Sequence, residues 1–152
     1  MKSFFRGVFY VLVLVLTAFA QVTKERLIEI RIIEKLSRDI TGKDSPRIFV
    51  AGKGQEITRE LAEYSSLVIV KDLEKADFVL LITESPEKPL TVPVFALGYL
   101  TFKNCDFCIG GLYWRKGRPQ LILFEEKLEK FKISLPEEYR FYIISEKEIK
   151  QK

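Results

Sequence analysis

Four short, unbroken apolar runs constrain the fold more than anything else in the chain. They are residues 47–51 (RIFVA), 67–70 (LVIV), 78–83 (FVLLIT) and 94–97 (VFAL). A strand with one wet face alternates apolar and polar residues, whereas a continuous apolar run is covered on both faces. The segments between them are short. Residues 57–64 read as a helix and 72–76 as a single helical turn. Strands alternating with short helices predict an α/β domain with a mostly parallel sheet.

The flanking segments complete one small domain. Thr23 is placed to cap a helix running to about residue 40, with Ile28, Ile32, Ile33, Leu36 and Ile40 on one face and Leu27 and Ile30 widening it. The breaker run at 41–46 ends that helix. Residues 84–93, with three prolines, read as a surface loop. Residues 107–114 and 119–124 flank Arg115-Lys116-Gly117-Arg118 and read as a C-terminal β-hairpin with a four-residue loop. A short helix over 125–131 and a last helix opening at Leu135-Pro136 follow, with Glu137 and Glu138 as helix-start acids rather than a catalytic pair. Residues 145–152 read as a charged, frayed tail.

The N-terminus carries an address. Lys2 and Arg6 precede an apolar run over 8–16, and Ala18 and Ala20 form the small-x-small pattern that signal peptidase cuts. Residues 1–20 are therefore expected to be a secretory signal peptide, leaving a domain over 21–144 and placing the protein in the periplasm. The alternative is an uncleaved anchor, although the run falls short of the roughly 20 residues that span a bilayer. Loss of Lys2 and Arg6 lowers the formal charge from +4 to +2, with both signs interspersed. Such a balance does not point to a nucleic-acid surface. The chain contains no histidine. That removes the usual general base near neutral pH, histidine-dependent triads and histidine-containing zinc sites. The expectation is a non-enzymatic protein without a cofactor.

Three clusters are candidate sites. Gly52-Lys53-Gly54 follows a strand and precedes a helix, where phosphate-binding turns occur, but lacks their full glycine pattern. A tight structural turn is the plainer reading. Open α/β sheets bind ligands beyond the strand C-termini, which would place Gly52, Lys53, Gly54, Thr83 and Glu84 near a pocket. Cys105 and Cys108 are the only cysteines. They are open to four readings: a disulfide, two buried or free thiols, a thiol-redox pair, or half of a zinc site shared across a dimer. Haem attachment is excluded because Ile109 stands where that chemistry needs histidine. Arg115, Lys116 and Arg118 form a basic hairpin tip beside Tyr113 and Trp114, suited to a partner or anionic lipid, or simply a solvated turn beside a core Trp.

Taken in order, the segments RIFVAG (47–52), ADFVLLI (76–82), PVFAL (93–97) and IGGLYWRKGRPQLILFEEKLEKFKISLPEEY (109–139) resemble the YfiR-like family of small periplasmic regulators. The Ile133-Ser134 step into the last helix belongs to the same likeness. The chain departs from the family at Asp39-Ile40-Thr41-Gly42, where an aromatic and a Trp-Pro step are usual, and its cysteines do not align with the family's regulatory disulfides. The resemblance implies a fold like one lobe of a periplasmic binding protein. It also implies a binding role, often as a homodimer, restraining a membrane-bound diguanylate cyclase from the periplasmic side. Partner surfaces would be the first helix and the tip at Trp114, Arg115, Lys116 and Arg118. A small-molecule or anion-binding protein and a thiol-disulfide protein are the alternatives.

Overall fold

The computed structural model describes residues 21–83 and 89–150. The expected signal peptide and Glu84 lie outside the described residues. No helix among the described residues is long and apolar enough to cross a membrane.

Helix α1 (Lys24–Thr41) begins where expected: the Thr23 hydroxyl accepts the Arg26 N–H at 3.2 Å. It ends at Gly42, whose φ of 67° permits a left-handed cap and whose N–H donates to the Arg38 carbonyl. The buried stripe is Ile30, Ile33, Leu36 and Ile40, while Leu27 and Ile28 at the first turns are about one-third exposed, narrower than the apolar spacing predicts.

The strands follow the apolar runs. They are β1 (Arg47–Ala51), β2 (Val68–Val70), β3 (Phe78–Leu81) and β4 (Val94–Leu97), with α2 (Gln55–Tyr64) and a 3-10 turn (Leu73–Lys75) between the first three. A short helix α3 (Tyr99–Lys103), to which the sequence reading assigned no element, leads toward β5 (Gly110–Arg115). Strands β6 (Arg118–Phe124) and β7 (Ile143–Ile144), helices α4 (Glu125–Lys130) and α5 (Glu146–Lys150), and a 3-10 segment (Glu137–Tyr142) complete the domain. The sheet has seven strands in the order β2-β1-β3-β4-β5-β6-β7, antiparallel only between β5 and β6.

β3 and β4 are buried at every residue because the centre of the sheet has two dry faces, whereas β1 is partly covered and the edge strand β2 leaves Val68 exposed, so the expected two-sided cover does not reach that edge. On one face, α1 and α2 pack over Ile48, Phe78, Leu80, Phe95, Leu97, Leu112 and Leu123. The alternate residues Val79, Leu81, Val94 and Ala96 face the other way and pack with Phe102 and the two cysteines. Phe78 and Phe95 are fully buried, each worth about 2–3 kcal/mol of apolar burial. At Gly110 a Cβ would meet the Ile122 carbonyl oxygen at 2.0 Å, so only glycine lets β5 approach β6 there. At Gly111 a Cβ would strike the Phe102 ring, which stacks on Phe124 and Tyr113.

Three expectations are corrected. The hairpin loop is two residues, not four: Lys116 (φ 50°) and Gly117 (φ 73°) are both left-handed, and Arg115 pairs directly with Arg118. That handedness matches the twist of the flanking strands and keeps them paired to the turn. The last helix is a 3-10 segment that delivers Ile143 and Ile144 as an added edge strand beside β6. Residues 146–150 form α5 rather than a frayed end, because the Glu126 carboxylate accepts the Ser145 hydroxyl and the Glu146 N–H.

Candidate functional site

The chain runs from β1 outward to β2 and then back past β1 to β3, so the strand order reverses between β1 and β3. Crevices at such points are where open α/β sheets place ligands. The structure brings Gly52, Lys53, Gly54 and Thr83 together there. The Lys53 N–H donates to the Thr83 hydroxyl at 3.1 Å, and the Gly54 N–H donates to the Gly52 carbonyl at 3.0 Å. Two N–H groups that a phosphate cradle would need are thus used inside the loop. Gly54 is also wedged between Val50, Ile57 and Ile82, so it serves packing.

Cys105 and Cys108 form a disulfide with their Cα atoms 5.6 Å apart. Cys108 is fully buried and Cys105 nearly so, among Phe102, Val94 and Ala96. The pair follows the C-terminal end of α3, where the helix dipole disfavours a thiolate. Lys127 ties the loop down by donating to the Asp106 carbonyl at 2.7 Å. With both sulfurs joined to each other, this state has no thiolate to offer zinc or a disulfide partner.

The hairpin divides into two parts. Trp114 is a strut: its indole N–H donates to Glu29 on α1 at 2.6 Å. Glu29 also accepts from Arg26 at 2.8 Å, and Arg26 Nε lies 2.9 Å from Glu60 Oε2 on α2, a charge contact without hydrogen-bond alignment. Burial pushes the Glu60 carboxyl up from its ordinary pKa despite that cation. Beyond Trp114 the tip is free, and Arg115, Lys116, Arg118 and Gln120 border a surface recess of about 400 Å³.

A further site is not legible in the sequence. A groove of about 480 Å³ runs between α1 and the β5–β6 hairpin, lined by Ile32, Leu112, Pro119, Leu121, Tyr139 and Tyr142, with Arg31, Lys35 and Glu138 at its border. Lys35 Nζ lies 2.7 Å from both Asp39 and Glu138, and the Tyr139 hydroxyl donates to Asp39 at 2.6 Å. Glu138 is therefore half of an ion pair rather than a helix-start acid alone. Burial alone would raise Asp39, but the hydrogen bonds from Lys35 and Tyr139 outweigh it and hold its carboxyl below the ordinary range. Burial, then the Asp39 carboxylate, pushes the Tyr139 phenol well above its ordinary value. Neither group is poised for proton transfer near neutral pH. Tyr142, which lines the groove, is 45% exposed, and Phe141 just before it in the chain is 88% exposed. The one signal the sequence holds is the density of aromatics at 139–142, which a helical pattern over that segment masks.

No family model matches the chain, and comparison with curated proteins finds no match.

Proposed function

We propose that this chain is an exported, non-catalytic binding module that grips the periplasmic domain of a membrane signalling protein. The observation that carries the reading is the groove with its exposed aromatic border. A phenylalanine in water at 88% exposure, beside a half-exposed tyrosine and an apolar trough, is the composition of an interface centre. The chemistry-bearing groups elsewhere support it: the cysteines are paired and buried, and the loop N–H groups at the sheet's reversal point are satisfied internally. The partner's type, a diguanylate cyclase or similar protein, rests on the YfiR-like resemblance. Trp114, held by Glu29, acts as scaffold for the surface rather than its anchor.

The test is copurification from membranes of the native host, comparing the parent with F141A/Y142S. The expected result is one membrane protein with a sizeable periplasmic domain, recovered with the parent and lost with the variant. Recovery only of a second copy of this chain would replace the reading with homodimer formation.

The strand order favours a second reading, a small anion bound at the β1–β3 reversal near Gly52, Lys53, Gly54 and Thr83. A thermal-shift screen with phosphate and small carboxylates checks it, and no stabilisation by any of them would discard it.

A further inference from the structure

The residues at the hairpin tip work against local stability. Lys116 holds a φ of 50°, a conformation that Asn or Gly adopts far more readily. Arg115 and Arg118 face each other as a cross-strand pair, the arrangement in which like charges repel. All three side chains are exposed, and among the described residues none has an ion-pair or hydrogen-bond partner in its side chain. Glu29, the acid that Trp114 ties to the hairpin, is already engaged by Arg26. Three uncompensated cations on a strained two-residue turn are the kind of local inconsistency that a sequence keeps for a partner outside the molecule.

The recess they border is open to solvent. A small free anion would have to immobilise three long side chains at once in water. An array of headgroup phosphates satisfies each cation separately. Position points the same way. The bond from Trp114 to Glu29 sets the tip beside the first turns of α1, where Leu27 and Ile28 are also about one-third exposed.

From these observations we infer that Arg115, Lys116 and Arg118 bind the phosphate headgroups of an anionic membrane surface. This goes beyond the regulator reading and stands without it, because lipid binding needs no protein partner.

The experiment is vesicle flotation of the full chain, comparing pure phosphatidylcholine with the same lipid carrying about 30% phosphatidylglycerol. The apolar run with Lys2 and Arg6 is common to the parent and every variant, so the difference among them reads the tip. Each cation near an anionic surface is worth roughly fivefold in partition, and screening reduces the sum. The expected preference for the anionic vesicles is at least about tenfold. It falls about tenfold in R115Q/K116Q/R118Q and persists in K71Q/K75Q/K103Q, which removes the same charge near β2 and at the C-terminal end of α3. A second measurement on the parent needs no variant: raising salt from about 0.05 to about 0.5 M abolishes the preference. Equal binding to both vesicles, equal loss in the two triple variants, or salt-insensitive preference would overturn the inference. So would release by about 20 mM inorganic phosphate at matched ionic strength, which would make free phosphate the ligand.

Discussion

Replacing Glu34 by alanine should unfasten α1 from the sheet. Its carboxylate is nearly buried and accepts the Ser66 N–H at 2.8 Å, the Ser66 hydroxyl at 3.0 Å, and Arg31 and Arg38 at 3.2 Å each. Ser66 stands in the turn between α2 and β2, so these bonds join segments 32 residues apart. The two Arg contacts reach into solvent and count for little. The Ser66 bonds go to a charged acceptor and are worth about 1.5–3 kcal/mol each before desolvation of the carboxylate is set against them. The net loss expected for E34A is about 2–3 kcal/mol, or roughly 8–12 °C in Tm for a domain this size. The pH dependence gives an independent check. Burial alone would raise Glu34, but the hydrogen bonds from Ser66 and Arg31 and the Arg38 charge lower it below its ordinary 4.5. Its contribution is therefore complete above that value and declines as pH falls through the lower folded pKa. Urea unfolding followed by circular dichroism from pH 7 to about pH 2 measures both. A loss under about 0.5 kcal/mol, or a parent–E34A gap that stays constant down to the lowest pH, would refute this role for Glu34.

Asp77 follows the same sign more steeply. Hydrogen bonds from the Arg47 side chain, then Lys43 and the Arg47 N–H, outweigh burial and hold its carboxyl far below the ordinary range. D77N should cost about 1–2 kcal/mol at pH 7, discounted because both cations are half-exposed, and the cost should fade only in strong acid, as denaturation curves across pH will show. Thiol titration of the native chain should find no reactive sulfhydryl, and C105S/C108S should lower stability by about 2 kcal/mol, the loop-closure value for so short a ring. G110A should be among the most damaging single-methyl changes, costing at least about 3 kcal/mol or abolishing folding, because the new Cβ would overlap the Ile122 carbonyl; a stable G110A protein with an unchanged melting curve would contradict the β5–β6 packing.

The sheet was legible because each of its first four strands is a self-contained apolar run, although only β3 and β4 are buried on both faces. The first helix was legible because Thr23 and Gly42 mark its ends with side-chain and backbone chemistry that acts locally. What was not legible depends on distant partners. The two residues of β7 have no pattern of their own and become a strand only beside Leu123 and Phe124. The two-residue hairpin turn has no sequence signature because Lys116 takes a conformation that its side chain disfavours. The groove could not be foreseen because Ile32, Pro119 and Tyr139 come from three separate segments. Of the expected site residues, the structure gathers Gly52, Lys53, Gly54 and Thr83, pairs the two cysteines, and separates Trp114 from the cations beside it.

The most direct measurement is photo-crosslinking in living cells of the native host. A benzophenone amino acid replaces Phe141, and a control carries it at exposed Glu74 on the far side of the sheet. A membrane signalling protein joined to position 141 and absent from the control is the expected result. Labelling only of abundant bystanders, equal from both positions, would contradict the claim that this aromatic border grips a specific partner.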